Sequence, residues 1–459
     1  MTAPPFPCSP VPVSPEIRLT YVLQHFWQAY EAVPPVSIGY PSHQPQIEVA
    51  EAAGSFFEQQ HPYPPAPTWR QWQGRTIPFF FDSAPDNQLI EWRPNGQAII
   101  YADIISAAFY LLSGWQEYFS EERDQHGRFP YSASVQHRYN FVTIPVVNYY
   151  FDVLKTAVEH AIGQPLRLRR WAGKATWACC ITHDIDNLYS AWKAPAKAAL
   201  RQGNLRHFGR QLWQHFTTHD TWDNLSQVQQ KVAEYGAKST FFFLPEYRKA
   251  ANGTPNADYN IQKVWAHAAT AIGSAEVGLH ASVGTNTQGG QLKEEGHRLQ
   301  RLRNGVKADG IRFHYLSWEP RITPGLLDEL LYTYDSTLGF AEHFGFRNSY
   351  CLPFHPFDFQ QRNAFLFLEI PLNVMDATLH HPRYLQLAPE EIAPALTPML
   401  QEIERFGGVC TVLWHNENFD PANTHNGPQE FHTLMQYLCS RNPAFLHGQD
   451  IVLHLEAEK

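Results

Sequence analysis

The stretch "CCITHDIDNLY", residues 179–189, places three titratable side chains directly after an apolar run. Residues 178–181 are apolar and predict a buried strand. His183, Asp184 and Asp186 follow at its end. Folds built on parallel strands gather their chemistry at the carboxyl ends of those strands, so this stretch predicts the edge of a functional site. The remaining groups of the site are expected at the ends of other strands.

After residue 175, short apolar runs alternate with longer polar–apolar runs of helical spacing. This alternation predicts parallel strands that are joined by right-handed helical crossovers. About seven such strands favour an α/β barrel over a small open sheet, and a doubly wound sheet is the alternative. The candidate strands are residues 176–182, 239–245, 275–280, 310–316, 366–372, 408–414 and 450–455.

The length of 459 residues exceeds one ordinary hydrophobic core and predicts two domains. The segment "QPLRLRRWAGK" indicates a boundary near residue 170. We therefore expect a smaller α/β accessory domain over residues 1–170 and the barrel over residues 171–459. Within the first domain, the apolar run from Asp103 predicts a buried helix, and a second helix is expected to end near Gly163.

Composition narrows the classes of partner. The formal net charge is −9, so the chain as a whole has no basic footprint for nucleic acid or anionic membranes. No apolar stretch has the length of a membrane span, and the first 20 residues do not resemble a signal peptide. Six cysteines in a chain of this length are not a disulfide framework. These features predict a cytoplasmic protein, and they leave its oligomeric state open.

Histidine, arginine and acidic side chains recur where the other predicted strands end. Any one of them alone is more often a hydrogen-bonded structural residue or a helix cap than a functional group. Their shared position at carboxyl ends is what favours a site, because structural residues have no reason to collect there. The residues are His280, Arg312, His314, Asn373, Asp376, His415 and Asn416.

Two carboxylates and several imidazoles suit a divalent metal, with zinc as the expected ion. An open coordination position lowers the pKa of a bound water and makes it a nucleophile near neutral pH. A second carboxylate could take the proton of that water, and a histidine could protonate the leaving group. The predicted chemistry is metal-assisted hydrolysis of an amide or ester.

The motifs "THDID", "GAKSTFFFL", "EVGLH", an arginine-bearing strand and "LWHN" resemble the polysaccharide deacetylases. "FYLLSGWQEY", "YDSTLGF" and "EIPLNVMDATL" are similar to a bacterial THD-x-D branch with an extra N-terminal domain of unassigned function. The resemblance implies a distorted (β/α) barrel. It also implies that Asp184 is the general base, Asp186 and His280 are metal ligands, His415 is the general acid, and Arg312 orients the base.

One position departs from that family. Its second metal histidine would fall four residues after His280, where Gly284 stands. His314, on the neighbouring strand end, is our candidate for the third ligand. His183 is a second possibility, although on an alternating strand it should point away from Asp184.

Three functions follow from these residues. The first is a metal-dependent hydrolase that removes an N- or O-acyl group from an amino sugar or glycan precursor, with Asp376 holding the ring of His415. The second is a catalytically decayed, deacetylase-like protein that binds a saccharide or acts as a scaffold. The third is a different metal hydrolase on the same barrel. We expect the N-terminal domain to cover part of the barrel mouth or recruit a partner. His126 and Arg128 are interpreted as structural residues within it.

Overall fold

The structure is a computed structural model that describes residues 12–423 and 427–456. Residues 1–11 lie outside that range, and with them most of the segment examined for a signal peptide. The N-terminal part contains helices α1 to α6 and strands β1 to β6. In chain order these are α1 (Pro15–Gln28), β1 (Ile38–Gly39), β2 (Ile47–Val49), α2 (Phe56–Gln59), β3 (Thr68–Trp72), β4 (Arg75–Phe79), β5 (Ile90–Arg93), β6 (Gln97–Ile100), α3 (Ile104–Leu112), α4 (Trp115–Phe119), α5 (Val135–Arg138) and α6 (Val146–Ile162).

This N-terminal unit is a small α/β structure. Its main sheet has the order β1-β2-β6-β5, and β3 and β4 form a separate antiparallel hairpin. Every residue of α3 is buried, as the apolar run after Asp103 predicts. Gly114, with φ +70°, separates α3 from α4 where we expected one continuous helix. Helix α6 ends at Gly163 in the left-handed conformation, in agreement with the sequence.

The remainder of the chain follows the predicted strand–helix alternation, except that residues 334–375 form short strands with no helix between them. Its elements are β7 (Ala178–Ile185), α7 (Lys193–Arg201), α8 (Leu205–Thr217), α9 (Leu225–Ala233), β8 (Ser239–Phe243), α10 (Ile261–Ile272), β9 (Glu276–Ala281), α11 (Gly289–Leu302), β10 (Gly310–Phe313), α12 (Thr323–Glu329), β11 (Tyr334–Asp335), β12 (Phe357–Asp358), β13 (Asn363–Ala364), β14 (Leu368–Glu369), β15 (Leu372–Met375), α13 (Asp376–His380), α14 (Pro389–Arg405), β16 (Val409–Leu413), α15 (Pro428–Ser440), β17 (Ala444–Phe445) and α16 (Gly448–Glu456).

The predicted distorted (β/α) barrel is confirmed. Eight parallel strands run in the order β14-β11-β10-β9-β8-β7-β16-β15, and β17 adds to β7. The two edge strands, β14 and β15, are neighbours in sequence and are separated by Ile370 and Pro371. Proline has no N–H for a ladder hydrogen bond, so the predicted strand 366–372 divides there and the ring stays open.

Two further expectations about the strands need correction. The run 450–455 is helical, within α16, and not a strand. Ile451, Val452 and Leu455 are its buried side chains, a spacing that fits one helical face. The strand predicted over 310–316 ends at Phe313, because Tyr315 and Leu316 take left-handed φ values of +58° and +55°. A sharp turn therefore follows directly after β10.

Buried apolar side chains of the N-terminal unit and the barrel form one continuous core, so the two parts pack directly on each other. The boundary near residue 170 remains a prediction. The five cysteines within the described residues carry free thiols. Of the helices in residues 12–423 and 427–456, none combines the length and apolar character that crossing a membrane requires.

Candidate functional site

The carboxyl ends of four barrel strands bring the predicted site residues together. Asp184 and Asp186 stand two residues apart at the end of β7, so the strand's alternation turns both to one face. His280 lies on β9, His314 follows β10, and His415 follows β16. Strands β9 and β10 pair with His280 opposite Arg312, which sets the two histidine-bearing strand ends side by side.

Asp186, His280 and His314 form a compact group, which we call the metal group because its side chains could hold a metal ion. Their potential ligand atoms all lie within 4.8 Å of one another. Asp186 Oδ1 is 3.2 Å from His280 Nε2, and Asp186 Oδ2 is 3.5 Å from His314 Nε2. His280 Nδ1 lies 3.0 Å from the carbonyl oxygen of Arg312. Because a carbonyl can only accept, Nδ1 donates this hydrogen bond, and Nε2 is the ring nitrogen that faces the carboxylate of Asp186. A hydrogen bond from the other ring nitrogen to a backbone carbonyl orients metal-binding imidazoles.

The group fits a divalent cation. Among the described residues, neither Asp186 Oδ1 nor His314 Nδ1 has a hydrogen-bond partner, although both atoms are buried. Burial alone would raise the pKa of Asp186, but His314 and His280 hold that pKa well below its usual range. One carboxylate and two imidazoles are ligands that zinc accepts, and three protein ligands leave a coordination position open.

Gly284 stands in a turn that favours glycine. Its φ is +93°, a left-handed value that a residue with a side chain adopts only with strain. His314 reaches the metal group from the adjacent strand end. The backbone at residue 284 therefore accounts for the missing histidine without requiring that the group be incomplete.

His183, the second possibility for the third ligand, points elsewhere. Its Nδ1 lies 2.7 Å from the carbonyl oxygen of Trp414, and its Nε2 lies 3.3 Å from Ser239 Oγ. The ring is fully buried beside Phe241, and burial lowers the pKa of His183 to about 4. A neutral imidazole held between two strands is a structural residue. The side-chain alternation along β7 predicts this orientation.

Asp184 is held by a buried guanidinium. Arg312 Nη1 donates to Asp184 Oδ1 at 2.9 Å and to Thr182 Oγ1 at 2.8 Å. The other carboxylate oxygen, Oδ2, lies 3.6 Å from His280 Nε2. One side of the carboxylate is therefore fixed by Arg312, and its other oxygen faces the metal group.

His415 is held by Asp376. Asp376 Oδ1 accepts from His415 Nδ1 at 2.7 Å, and Oδ2 accepts from the backbone N–H of His415 at 2.6 Å and from Asn418 Nδ2 at 2.6 Å. The opposite ring nitrogen, Nε2, lies 3.8 Å from Asp186 Oδ2. Burial alone would lower the pKa of His415, but the Asp376 carboxylate raises that pKa well above its usual range. The ring is positioned and charged as a proton donor requires.

A stack of rings connects the N-terminal unit to the metal group. The His314 ring lies on Tyr315 with centroids 4.0 Å apart, and Tyr315 lies on His126 at 4.6 Å and an interplanar angle of 11°. Arg128 Nη1 donates to the Tyr315 carbonyl at 2.8 Å and pairs with Asp124. Interpreting His126 and Arg128 as structural was right for their local turn but missed this contact. Local sequence cannot show it, because residues 126 and 315 meet only through packing between the two units.

The site opens into a cavity of about 310 Å³ whose walls include the metal group, Asp184, His415 and Arg128. Glu417 also lines it and was not among the predicted residues. Burial raises the pKa of Glu417 to about 7, with the nearby charge of Asp186 acting in the same direction and His415 opposing it. Its position in "LWHNEN", two residues after His415, is the signal that could have indicated it.

Comparisons with known proteins give the following matches. A family model described as a family of unknown function (DUF7033) matches residues 16–162, inside the predicted N-terminal domain. No curated protein matches the sequence.

Three solved structures are similar to part of the chain. A structure described as a putative polysaccharide deacetylase from Mycobacterium smegmatis has 16% identity and a TM-score of 0.43, covering 63% of this chain and 93% of the other. A probable polysaccharide deacetylase from Pseudomonas aeruginosa PAO1 has 13% identity and a TM-score of 0.41, with the same coverages of 63% and 93%. The Puue allantoinase has 13% identity and a TM-score of 0.39, covering 62% and 92%. At these identities and TM-scores, the matches do not identify the function of this chain.

Proposed function

We propose that this protein is a metal-dependent hydrolase that removes an N- or O-acyl group from an amino sugar or glycan precursor. One observation carries the proposal. A candidate metal group is flanked within one cavity by an arginine-held carboxylate, Asp184, and by a carboxylate-held imidazole, His415. Metal-assisted hydrolysis of an amide uses a base that takes a proton from the attacking water and an acid that protonates the leaving group.

Asp186, His280 and His314 would hold the ion, with zinc as the proposed metal. When bound, the ion would lower the pKa of a coordinated water and polarise the acyl carbonyl. The motif order that resembles polysaccharide deacetylases supports an acylated sugar as the substrate. The cavity volume of about 310 Å³ lies at the lower end of the range for small-molecule sites. A cavity of this volume suits one sugar ring with its acyl group.

The protein's own residues would carry the proton transfers. Asp184 would accept the proton of the attacking water, since Arg312 orients it and its Oδ2 faces the metal group. His415 would donate a proton to the leaving nitrogen or oxygen. The charged form of its ring is stabilised by Asp376, so the proton is present at neutral pH.

The decayed, saccharide-binding alternative predicts a different set of measurements. The lack of a second motif histidine at Gly284 favours this alternative, and the position of His314 beside Asp186 and His280 weakens that argument. The test is elemental analysis of the purified protein together with acetate release from N-acetylated and O-acetylated amino sugars. A stoichiometric divalent ion and chelator-sensitive release are expected. A protein that binds no divalent ion after incubation with zinc would reject the hydrolase.

The N-terminal unit is proposed to position a metal ligand. His126 belongs to that unit, and through Tyr315 it supports the ring of His314. Tyr315 needs that support because its left-handed backbone conformation is unfavourable for a non-glycine residue. The accessory unit thereby completes the wall of the site as well as covering part of the barrel mouth.

Removal of a metal ligand should empty the site. His280→Ala and His314→Ala are each expected to weaken zinc affinity by more than about 100-fold, beyond the usual loss when an outer-shell partner is removed. Competition with a chromophoric chelator measures the affinity. His381→Ala is the matched control, since His381 lines the same cavity outside the ligand group. Wild-type affinity in either ligand variant would overturn the assignment of that ligand.

Loss of the ring stack should weaken metal binding without removing a ligand. His126→Ala is expected to lower zinc affinity by roughly 10-fold, because His314 loses the stack that orients it. His126→Phe restores an aromatic surface and should recover most of the affinity. The same chelator competition reports both variants. Equal affinity in wild type and His126→Ala would show that the stack does not position His314.

Replacement of the proposed base should separate catalysis from metal binding. Asp184→Asn is expected to keep the fold and the metal but to reduce kcat by about 10² to 10⁴, because the amide cannot accept a proton. Metal content and kcat are measured on the same preparation. Turnover at the wild-type rate with full metal would make Asp184 a structural residue.

The Asp376 carboxylate should set the alkaline limit of activity. A general acid works only while protonated, so activity falls as pH rises through the pKa of His415. Because Asp376 raises that pKa, Asp376→Asn should move the alkaline limb of the kcat profile to lower pH by about one unit or more.

A companion variant tests the acid role itself. His415→Ala should abolish the alkaline limb and lose less activity on an activated aryl ester, whose leaving group needs no proton, than on an amide. An equal loss on both substrates would assign His415 to positioning instead of proton donation.

A further inference from the structure

Helices α7 and α8 form a hairpin whose charge differs from that of the whole chain. Residues 187–219 contain five Lys or Arg residues and no Asp or Glu, whereas the full sequence has 35 basic and 44 acidic residues. The two helices pack on each other. Gly203, at φ +69°, makes the turn between them, and the Asn204 side chain accepts from the backbone N–H of His207 at 3.0 Å to cap α8.

The hairpin exposes large apolar side chains. Residues Leu205 and Phe216 are eleven positions apart on α8, which places them within about 20° of each other around the helix axis. Trp213 lies beside them, and Leu200 is at the end of α7. An apolar cluster of this kind on an outer surface indicates an interaction site. The exposed fractions are 54% for Leu200, 69% for Leu205, 64% for Trp213 and 76% for Phe216.

The basic side chains lie next to these apolar groups. On α7, Lys193, Lys197 and Leu200 follow a helical spacing of four and three residues and share one exposed face. On α8, Arg206 and Arg210 lie along the edge that carries Trp213. Cations bordering Trp, Phe and Leu on an amphipathic helix are characteristic of segments that lie in a membrane interface.

We propose that the α7–α8 hairpin docks on an anionic lipid surface. Leu205, Trp213 and Phe216 would enter the boundary between headgroups and acyl chains, and the Lys and Arg side chains would pair with anionic headgroups. Nucleic acid is a poorer fit, because aliphatic leucines gain nothing from stacked bases or phosphates. The net charge of −9 describes the whole chain and not the local charge of the hairpin. A lipid surface interacts with charges within about 10 Å, the screening length at 0.1 M salt, so the local charge of the hairpin decides its binding.

The root of the hairpin lies beside the candidate site. Asn416, the residue after His415, donates through Nδ2 to the carbonyl of Asn187 at 2.9 Å and to that of Trp222 at 2.8 Å. These carbonyls lie at the two ends of the hairpin segment. Helix α8 has 13 residues and is therefore about 20 Å long. A protein docked through this hairpin would hold its cavity within about 20 Å, the length of α8, of the bilayer surface. The docking itself does not depend on the proposed hydrolase function.

Vesicle flotation of the full chain without substrate tests the proposal. We expect binding to phosphatidylcholine vesicles that contain 30% phosphatidylglycerol, weak binding to pure phosphatidylcholine, and release in about 1 M salt, where screening acts over roughly 3 Å. Arg206→Gln with Arg210→Gln should weaken binding to the anionic vesicles by about 30-fold. Trp213→Ser with Phe216→Ser should weaken it by at least about 10-fold.

Matched controls change exposed apolar or basic side chains elsewhere on the surface. Trp92→Ser with Leu366→Ser, and Lys263→Gln with Lys293→Gln, should leave vesicle binding unchanged. No flotation with anionic vesicles would overturn the proposal, as would unaltered binding of the hairpin variants. Trp213-dependent self-association without vesicle binding would assign the surface to a second copy of the chain, and tighter binding to a DNA or RNA oligonucleotide would assign it to nucleic acid. Both of these results also reject the lipid surface, and each leaves the metal and turnover measurements unaffected.

Discussion

The buried guanidinium of Arg312 is the constraint on which the site depends. Its Nε donates to the Ser336 carbonyl at 2.7 Å, its Nη2 to Ser336 Oγ at 2.9 Å, and its Nη1 to Thr182 and Asp184. The guanidinium carbon of Arg312, Cζ, also lies 4.5 Å from the centroid of the Phe242 ring. A buried charge is costly unless it is paired and hydrogen-bonded, so the contacts of Arg312 favour the observed register of strands β7, β8 and β10 and of the segment after β11. That register places Asp184 against His280.

The two units of the chain are joined by the same kind of interaction. Arg123 of the N-terminal part forms a two-pronged, buried ion pair with Glu319, at 3.0 and 3.2 Å. Arg347 of the barrel pairs in the same way with Glu117, at 2.8 and 2.6 Å. Planar, bidentate pairs fix direction as well as distance. They hold the N-terminal unit in the orientation that brings His126 onto Tyr315, so this unit contributes to the surroundings of His314.

Charge on this molecule is organised at two scales. In the interior, single cations and carboxylates are paired across strands, and they position Asp184 and His415. On the hairpin of α7 and α8, five cations lie within residues 187–219, a segment that has no Asp or Glu, and they stand beside exposed aromatic rings. The average charge reports neither arrangement, since it sums groups that are too far apart to interact through salt water. The site and the surface are nevertheless connected, because Asn416 bonds the root of the hairpin to the loop that carries His415.

The sequence by itself determined the strand–helix alternation of the barrel and the identity of the groups at its strand ends, because hydrophobic periodicity and strand polarity are local properties. The orientation of His183 away from Asp184 followed from the same alternation. Local pattern failed at residues 450–455, because a short apolar run suits a strand and a buried helix equally. His314 was a candidate from its strand-end position, but only the tertiary structure placed its ring beside Asp186 and His280, since the turn at Tyr315 and the stack on His126 are set by packing between units distant in sequence. The tertiary structure also brought Arg128 to the cavity from the N-terminal unit, a contact that no spacing rule predicts.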